Sequence, residues 1–124
     1  MGKNVLLVAN DRAIRSMTSH KLRAEDYTVF DADGTADALD KLFSSEYAKP
    51  DIIITALDVI ETNVNSFIKC VRGNPEFRFI PILVLAAEDM LHKQMEWKEA
   101  GATCWLTKPF TGDQLAQLVN MVLF

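Results

Sequence analysis

The chain is poor in the residues that build reactive or metal-binding centres. Of its 124 residues two are cysteine, two histidine and five glycine. Cys70 and Cys104 lie far apart without C-x-x-C spacing, so they are expected to be buried free thiols in a reducing compartment. His20 and His92 add no spacing that would gather these four groups around zinc. There is no G-x-G-x-x-G loop to cradle a phosphate and no Ser–His–Asp order in a plausible crevice, so no enzymatic activity is expected. No apolar run approaches the roughly 18 residues that span a bilayer. Met1-Gly2-Lys3-Asn4 runs straight into the first apolar segment, with no small-residue cleavage site, so no secretory leader is expected. Leu6 stands where N-myristoylation requires Ser or Thr. The expected location is cytoplasmic. Basic excess is missing too: 17 acidic against 13 basic residues give a net charge of −4. Direct nucleic-acid binding needs a cationic face to displace counterions, so it is not expected.

What is present is a core of ordinary size, with 49% hydrophobic and 24% charged residues. That suits one domain over residues 1–124. Short apolar runs alternate with amphipathic stretches. Val5-Leu6-Leu7-Val8 has the uniform apolarity of a strand buried on both faces. Asn10-Asp11 supplies a turn and a helix cap, and Ile14, Met17 and Leu22 mark one face of the helix that follows. Tyr27-Thr28-Val29-Phe30 is β-branched and aromatic, as in a strand. Asp33-Gly34-Thr35 breaks the chain and caps a helix with Leu39, Leu42 and Phe43 aligned. Lys49-Pro50-Asp51 leads into the central strand Ile52-Ile53-Ile54-Thr55-Ala56. Val64, Phe67, Ile68 and Val71 give a third helix, ended by Gly73-Asn74-Pro75. Pro81 opens the strand Ile82-Leu83-Val84-Leu85. A fourth helix from about Asp89 to Ala100 stops at Gly101. Cys104-Trp105-Leu106 is a short fifth strand, and the last helix carries Leu115, Leu118, Val119 and Val122 on one face.

Five strands alternating with five helices imply an α/β fold. Right-handed crossovers make it a doubly wound, parallel five-stranded sheet. The order 2-1-3-4-5 of the flavodoxin-like (βα)5 arrangement is expected, with a crevice at the carboxyl ends of strands 1 and 3. Ala9, Asn10, Asp11, Ala56 and Asp58 should converge there.

Several segments, in order and at compatible spacing, resemble the receiver domain of bacterial two-component response regulators. They are Val5 to Arg15, Asp33-Gly34 with Ala38-Leu39, Pro50 to Ile54, Ile80 to Leu85, Ala100-Gly101-Ala102 and Lys108-Pro109-Phe110. The resemblance covers nearly the whole chain. It implies metal-assisted phosphoryl transfer to an aspartate. In that chemistry an acidic pair after the first strand holds Mg²⁺, and a central aspartate attacks. A hydroxyl ending the fourth strand and a lysine ending the fifth contact the phosphoryl oxygens, offsetting its charge.

Residue by residue, the acidic pair falls on Ala9 and Asn10, the acceptor on Ala56 and the hydroxyl on Ala86. Only the lysine remains, as Lys108. Ile60 and Val64 replace the proline and glycine usual in the loop after the acceptor. A methyl group is no nucleophile, and a neutral Asn10 is a poor ligand for an ion that prefers carboxylates and water. Mg²⁺ binding is therefore expected to be weak or absent. Asp58 lies two residues past Ala56, about 6.6 Å along an extended strand, and Asp11 is accounted for as a helix cap. Without an acceptor, Lys108 is expected to pair with Asp11 or reach water. The resemblance also places a commonly cis bond before Pro109.

The sequence thus describes a degenerate receiver. Its expected role is a signalling module that acts by protein contact, without aspartyl phosphorylation at the usual site. Its expected partner is a histidine kinase, another receiver or a regulatory protein. The alternative is a receiver that still switches, through a displaced acceptor at Asp58 or Asp11 or through an anion bound near Lys108. The resemblance implies a partner surface, or a homodimer contact, on the fourth helix, fifth strand and fifth helix. Trp105 on that strand is either packed inward beside Ala86 or turned outward as an aromatic anchor.

Overall fold

The computed structural model describes residues 3–44, 47, 49–56, 64–87 and 93–123. Along the chain run β1 (Asn4–Ala9), α1 (Arg12–Ala24), β2 (Thr28–Ala32), α2 (Thr35–Phe43), β3 (Ile52–Ala56), α3 (Val64–Arg72), β4 (Ile82–Ala86), α4 (Gln94–Ala100), β5 (Cys104–Thr107) and α5 (Gly112–Leu123). A 3₁₀ turn, Pro75–Phe77, follows α3. Every strand pair is parallel, and the order is β2-β1-β3-β4-β5. This is the expected doubly wound, flavodoxin-like sheet.

Alternation along the strands divides the core into two layers, since successive side chains point to opposite faces. Leu6, Val8, Ile53, Ile82 and Val84 meet α2, α3 and α4 through Leu42, Phe67, Ile68, Val71 and Trp97. Val5, Leu7, Ile52, Ile54, Leu83 and Leu85 meet α1 and α5 through Leu22, Leu115 and Val119. Ile52, Ile53 and Ile54 are completely buried, as a strand covered on both faces requires.

Helix faces depart from the sequence reading in three places. On α1 the inward residues are Thr18, Ser19 and Leu22, and Met17 is half exposed. Ile14, Thr18 and Leu22 follow one another at i+4, and Met17 sits one step off that line. On α2 the buried pair is Ala38 and Leu42, again i and i+4, which turns Phe43 outward. On α3 the stripe Phe67, Ile68 and Val71 leaves Cys70 exposed. Cys104 is only partly buried, so the expected pair of buried thiols is corrected on both counts. Burial pushes the Cys104 thiol pKa up, so it stays protonated near neutrality.

The caps fix where the loops leave. Asp11 Oδ1 accepts from the Ala13 and Ile14 amides at 2.8 and 3.2 Å, as expected of a helix-capping aspartate. The expected cap of α2 is not made by a side chain: Gly34 occupies that position without a capping bond. α5 opens with a reciprocal box, in which Thr111 Oγ1 accepts from Gln114 N and Gln114 Oε1 accepts from Thr111 N. β2 begins and ends later than expected, and β5 extends to Thr107. The part of the expected fourth helix before residue 93 lies outside the described residues.

One side chain ties two loops together. The Arg72 guanidinium donates to the carbonyls of Phe77, Arg78 and Ile80 at 3.0, 3.2 and 2.5 Å. It also donates to Gly101 O at 3.0 and 2.8 Å. Gly101 adopts φ +119°, and a Cβ there would come within 2.9 Å of Arg72 Cγ. Glycine is required by backbone conformation and by this approach alike.

Truncation in the central strand measures the two-sided burial directly. Ile53→Ala should lower the free energy of unfolding by about 2–5 kcal/mol in urea titrations followed by circular dichroism. A loss under about 1 kcal/mol would mean that the site collapses around the cavity.

Candidate functional site

Parallel register brings the carboxyl ends of the strands side by side. Ala9 pairs with Ala56 across β1 and β3, and Ala86 pairs with Thr107 across β4 and β5. Ala9, Ala56 and Ala86 are all buried. The three alanines singled out in the sequence therefore sit at the carboxyl ends of their strands, Ala9 and Ala56 in the layer against α1 and α5 and Ala86 in the opposite layer. Asn10 and Asp11 follow Ala9 in the turn into α1. Lys108 follows β5, where its amide donates to Ala86 O at 2.8 Å, and its peptide bond to Pro109 is cis. Asp58 and Ile60 lie outside the described residues. Val64 is the first residue of α3.

Of the two expectations for Lys108, the pair with Asp11 is not formed. Asp11 directs Oδ1 to its own helix, and Lys108 makes no ion pair with it. Asp11 satisfies two amides left free by the first turn of α1, so its carboxylate is held at the helix end and away from β5. Thr107, which the sequence reading left outside the strand, is the register partner of Ala86.

A further residue belongs to this crevice. Arg15 Nη1 donates to Ala9 O at 2.8 Å. Arg15 lies one turn beyond Asp11, and that i+4 spacing was the available signal. The guanidinium thus rests on the last carbonyl of β1.

These residues do not fit Mg²⁺. The ion needs near-octahedral oxygen coordination, with carboxylates among its ligands. Ala9 and Ala56 offer methyl groups, and Asn10 is neutral. One oxygen of Asp11 is committed to the helix cap, and Arg15 places a fixed positive charge on a neighbouring carbonyl, opposing a dication. No group of three or more His, Cys, Asp or Glu side chains suited to a metal occurs among the described residues.

Trp105 is partly buried and packs against the layer that contains Ala86 and Trp97. Its ring lies edge-on to Trp97, with centroids 6.1 Å apart and planes at 61°. Trp97 is buried, and Trp105 pairs in register with Val84. Of the two orientations considered from sequence, the indole takes the inward packing and keeps part of its surface accessible.

The response regulator receiver domain profile matches residues 5–120. The chain belongs to that family: it is a receiver domain of the two-component response-regulator type. It is 29% identical over 123 residues to the alkaline phosphatase synthesis transcriptional regulatory protein PhoP of Bacillus subtilis, covering 99% of this chain and 49% of that protein. It is 31% identical over 125 residues to the response regulator MprA of Mycobacterium tuberculosis, covering 99% of this chain and 51% of that one. The chain thus spans about half the length of these curated relatives. Among solved structures, the chemotaxis response regulator CheY4 of Vibrio cholerae superposes with a TM-score of 0.88 at 35% identity, over 99% of this chain and 100% of that one. No helix among the described residues is long and apolar enough to cross a membrane.

The donor set predicts the response to metal. Titration with millimolar MgCl₂, read by tryptophan fluorescence and calorimetry, should give no saturable signal. Tight binding without any phosphate analogue would show that oxygens beyond those named here complete a site.

Proposed function

We propose that this receiver is a docking module that acts without phosphorylation at the position where its family accepts phosphate. The observation that carries this reading is the set of three buried alanines, Ala9, Ala56 and Ala86, at the strand ends around the crevice. Phosphoryl transfer to a carboxylate needs a nucleophile, a cation to offset charge and donors to the transferring oxygens. At these positions the chain supplies methyl groups, and of the family's set it keeps Lys108. Residues 1–124 act as one cytoplasmic, bacterial signalling domain with no catalytic turnover. The partner is a histidine kinase, another receiver or a regulatory protein.

The contact face in this reading comprises α4, β5 and α5. Met95 on α4 is 65% exposed, and Trp105 on β5 is only partly buried. Aromatic and methionine side chains are enriched where proteins meet. Because the Trp105 ring already packs beside Ala86 and Trp97, it is held in one state, and the same face serves for a second copy of the chain.

Two measurements test this. Incubation with acetyl phosphate and Mg²⁺ should leave the intact mass unchanged, and Ala56→Asp alone should restore little, since Asn10 and Ala86 remain unsuited to metal and phosphoryl contacts. A stoichiometric acid-labile adduct of about 80 Da mapped to Asp58 or Asp11 would establish the displaced-acceptor alternative. Saturable phosphate binding lost in Lys108→Ala would establish the anion alternative. Affinity for a candidate kinase should be insensitive to phosphodonor and weakened by Trp105→Ala with native circular dichroism. Unchanged binding by that variant would move the contact to another face.

A further inference from the structure

The opposite end of the sheet carries the most exposed large apolar side chain among the described residues. Phe79 is 89% exposed, well above Met121 at 73% and Met95 at 65%. It stands in the loop between the 3₁₀ turn and β4, at the amino-terminal edge of the sheet and away from the crevice.

This loop has little freedom to hide the ring. Its flanking residues Phe77 and Ile80 are buried in the core, at 1% and 7% exposure. The carbonyls of Phe77, Arg78 and Ile80 are all held by the Arg72 guanidinium. That guanidinium is fixed in turn by Gly101 O. A ring on a backbone already ordered loses little further entropy on binding, which favours it as an anchor. The same loop also meets the end of α2. Phe43 is 49% exposed, and its ring centroid lies 6.0 Å from that of Phe77.

The charge around this surface selects a partner. Lys49 Nζ lies 5.5 Å from the Phe77 ring centroid, and Arg78 is exposed directly beside Phe79. Glu76 is the one acid in the same turn. Among the described residues Lys49, Arg72 and Arg78 stand against Glu76 and Asp51, so on a chain whose net charge is −4 the balance at this edge is locally positive. Such a balance steers carboxylates toward the apolar anchor.

We propose that the amino-terminal edge of the sheet is a second docking surface, anchored by Phe79, for a segment of a partner protein that carries carboxylates beside apolar side chains. It is independent of the phosphate chemistry and of the Trp105 face.

A random peptide display library panned on the full chain supplies the probe, with counter-selection against Phe79→Ala. Enriched peptides are synthesised and measured by fluorescence polarisation. They should combine Asp or Glu with apolar residues. Phe79→Asp should weaken them roughly tenfold or more, and Lys49→Glu with Arg78→Glu should weaken them at low salt most of all. Trp105→Ala should leave them unchanged, which separates this surface from the proposed kinase-facing one. Phe79 is exposed, so its variants should keep native circular dichroism and melting. No Phe79-dependent enrichment, or enrichment of basic peptides, would overturn the proposal. So would a Phe79-dependent dimer in sedimentation, which would make the occupant a second copy of the chain.

Discussion

The constraint on which the rest depends is the ladder between β1 and β3. Both strands are buried on both faces, so each must find its backbone partners inside the sheet and cannot shift without stranding them. A slip of one residue would also exchange the two core layers, since Val5 and Leu7 face α1 and α5 while Leu6 and Val8 face the other helices. The register is therefore fixed, and it sets Ala9 beside Ala56. Parallel strands need crossovers, and those crossovers send the β–α turns to one edge. The crevice follows from the ladder.

At that edge the strands end in small apolar side chains. Ala9, Ala56 and Ala86 place methyl groups at the strand ends, and among the described residues the charges placed near them are cationic or committed. Lys108 follows β5, Arg15 lies on the Ala9 carbonyl, and Asp11 closes its own helix. A methyl at a strand end costs the sheet nothing, because the ladder uses only main-chain groups. The fold thus accommodates alanine at these strand ends without loss of order.

The two edges of the sheet are built by different means. The carboxyl edge is organised by caps, with Asp11 at α1 and the Thr111–Gln114 box at α5. The amino edge is organised by one guanidinium that gathers carbonyls from the turn after α3 and from the end of α4. Burial pulls the Arg72 pKa down from the ordinary arginine value, yet a guanidinium keeps its charge at neutral pH. Its five donors suit such a hub, and Gly101 supplies the space. At this edge hydrogen bonds to a charge add to the main-chain bonds that begin the strand ladders, such as Ile53 N to Pro81 O at 2.9 Å.

The sequence by itself determined the elements and their order, because strand apolarity and helical spacing are local and strong. Ile52-Ile53-Ile54 could only be a strand covered twice, and Asp11 could be assigned as a cap from its place before α1. The three alanines were legible too, since the segments around them set their positions. Tertiary structure alone decided which helical neighbours turn inward: Thr18 and Ala38 displaced Met17 and Phe43, because packing follows the i+4 line nearest the sheet and apolar type only correlates with it. It also decided the partners of the long cations. Arg15 and Arg72 reach carbonyls 6 and up to 29 residues away, and Lys108 does not reach Asp11. Flexible side chains choose among acceptors that only the assembled sheet brings within range. Spacing along the chain carries no record of that choice.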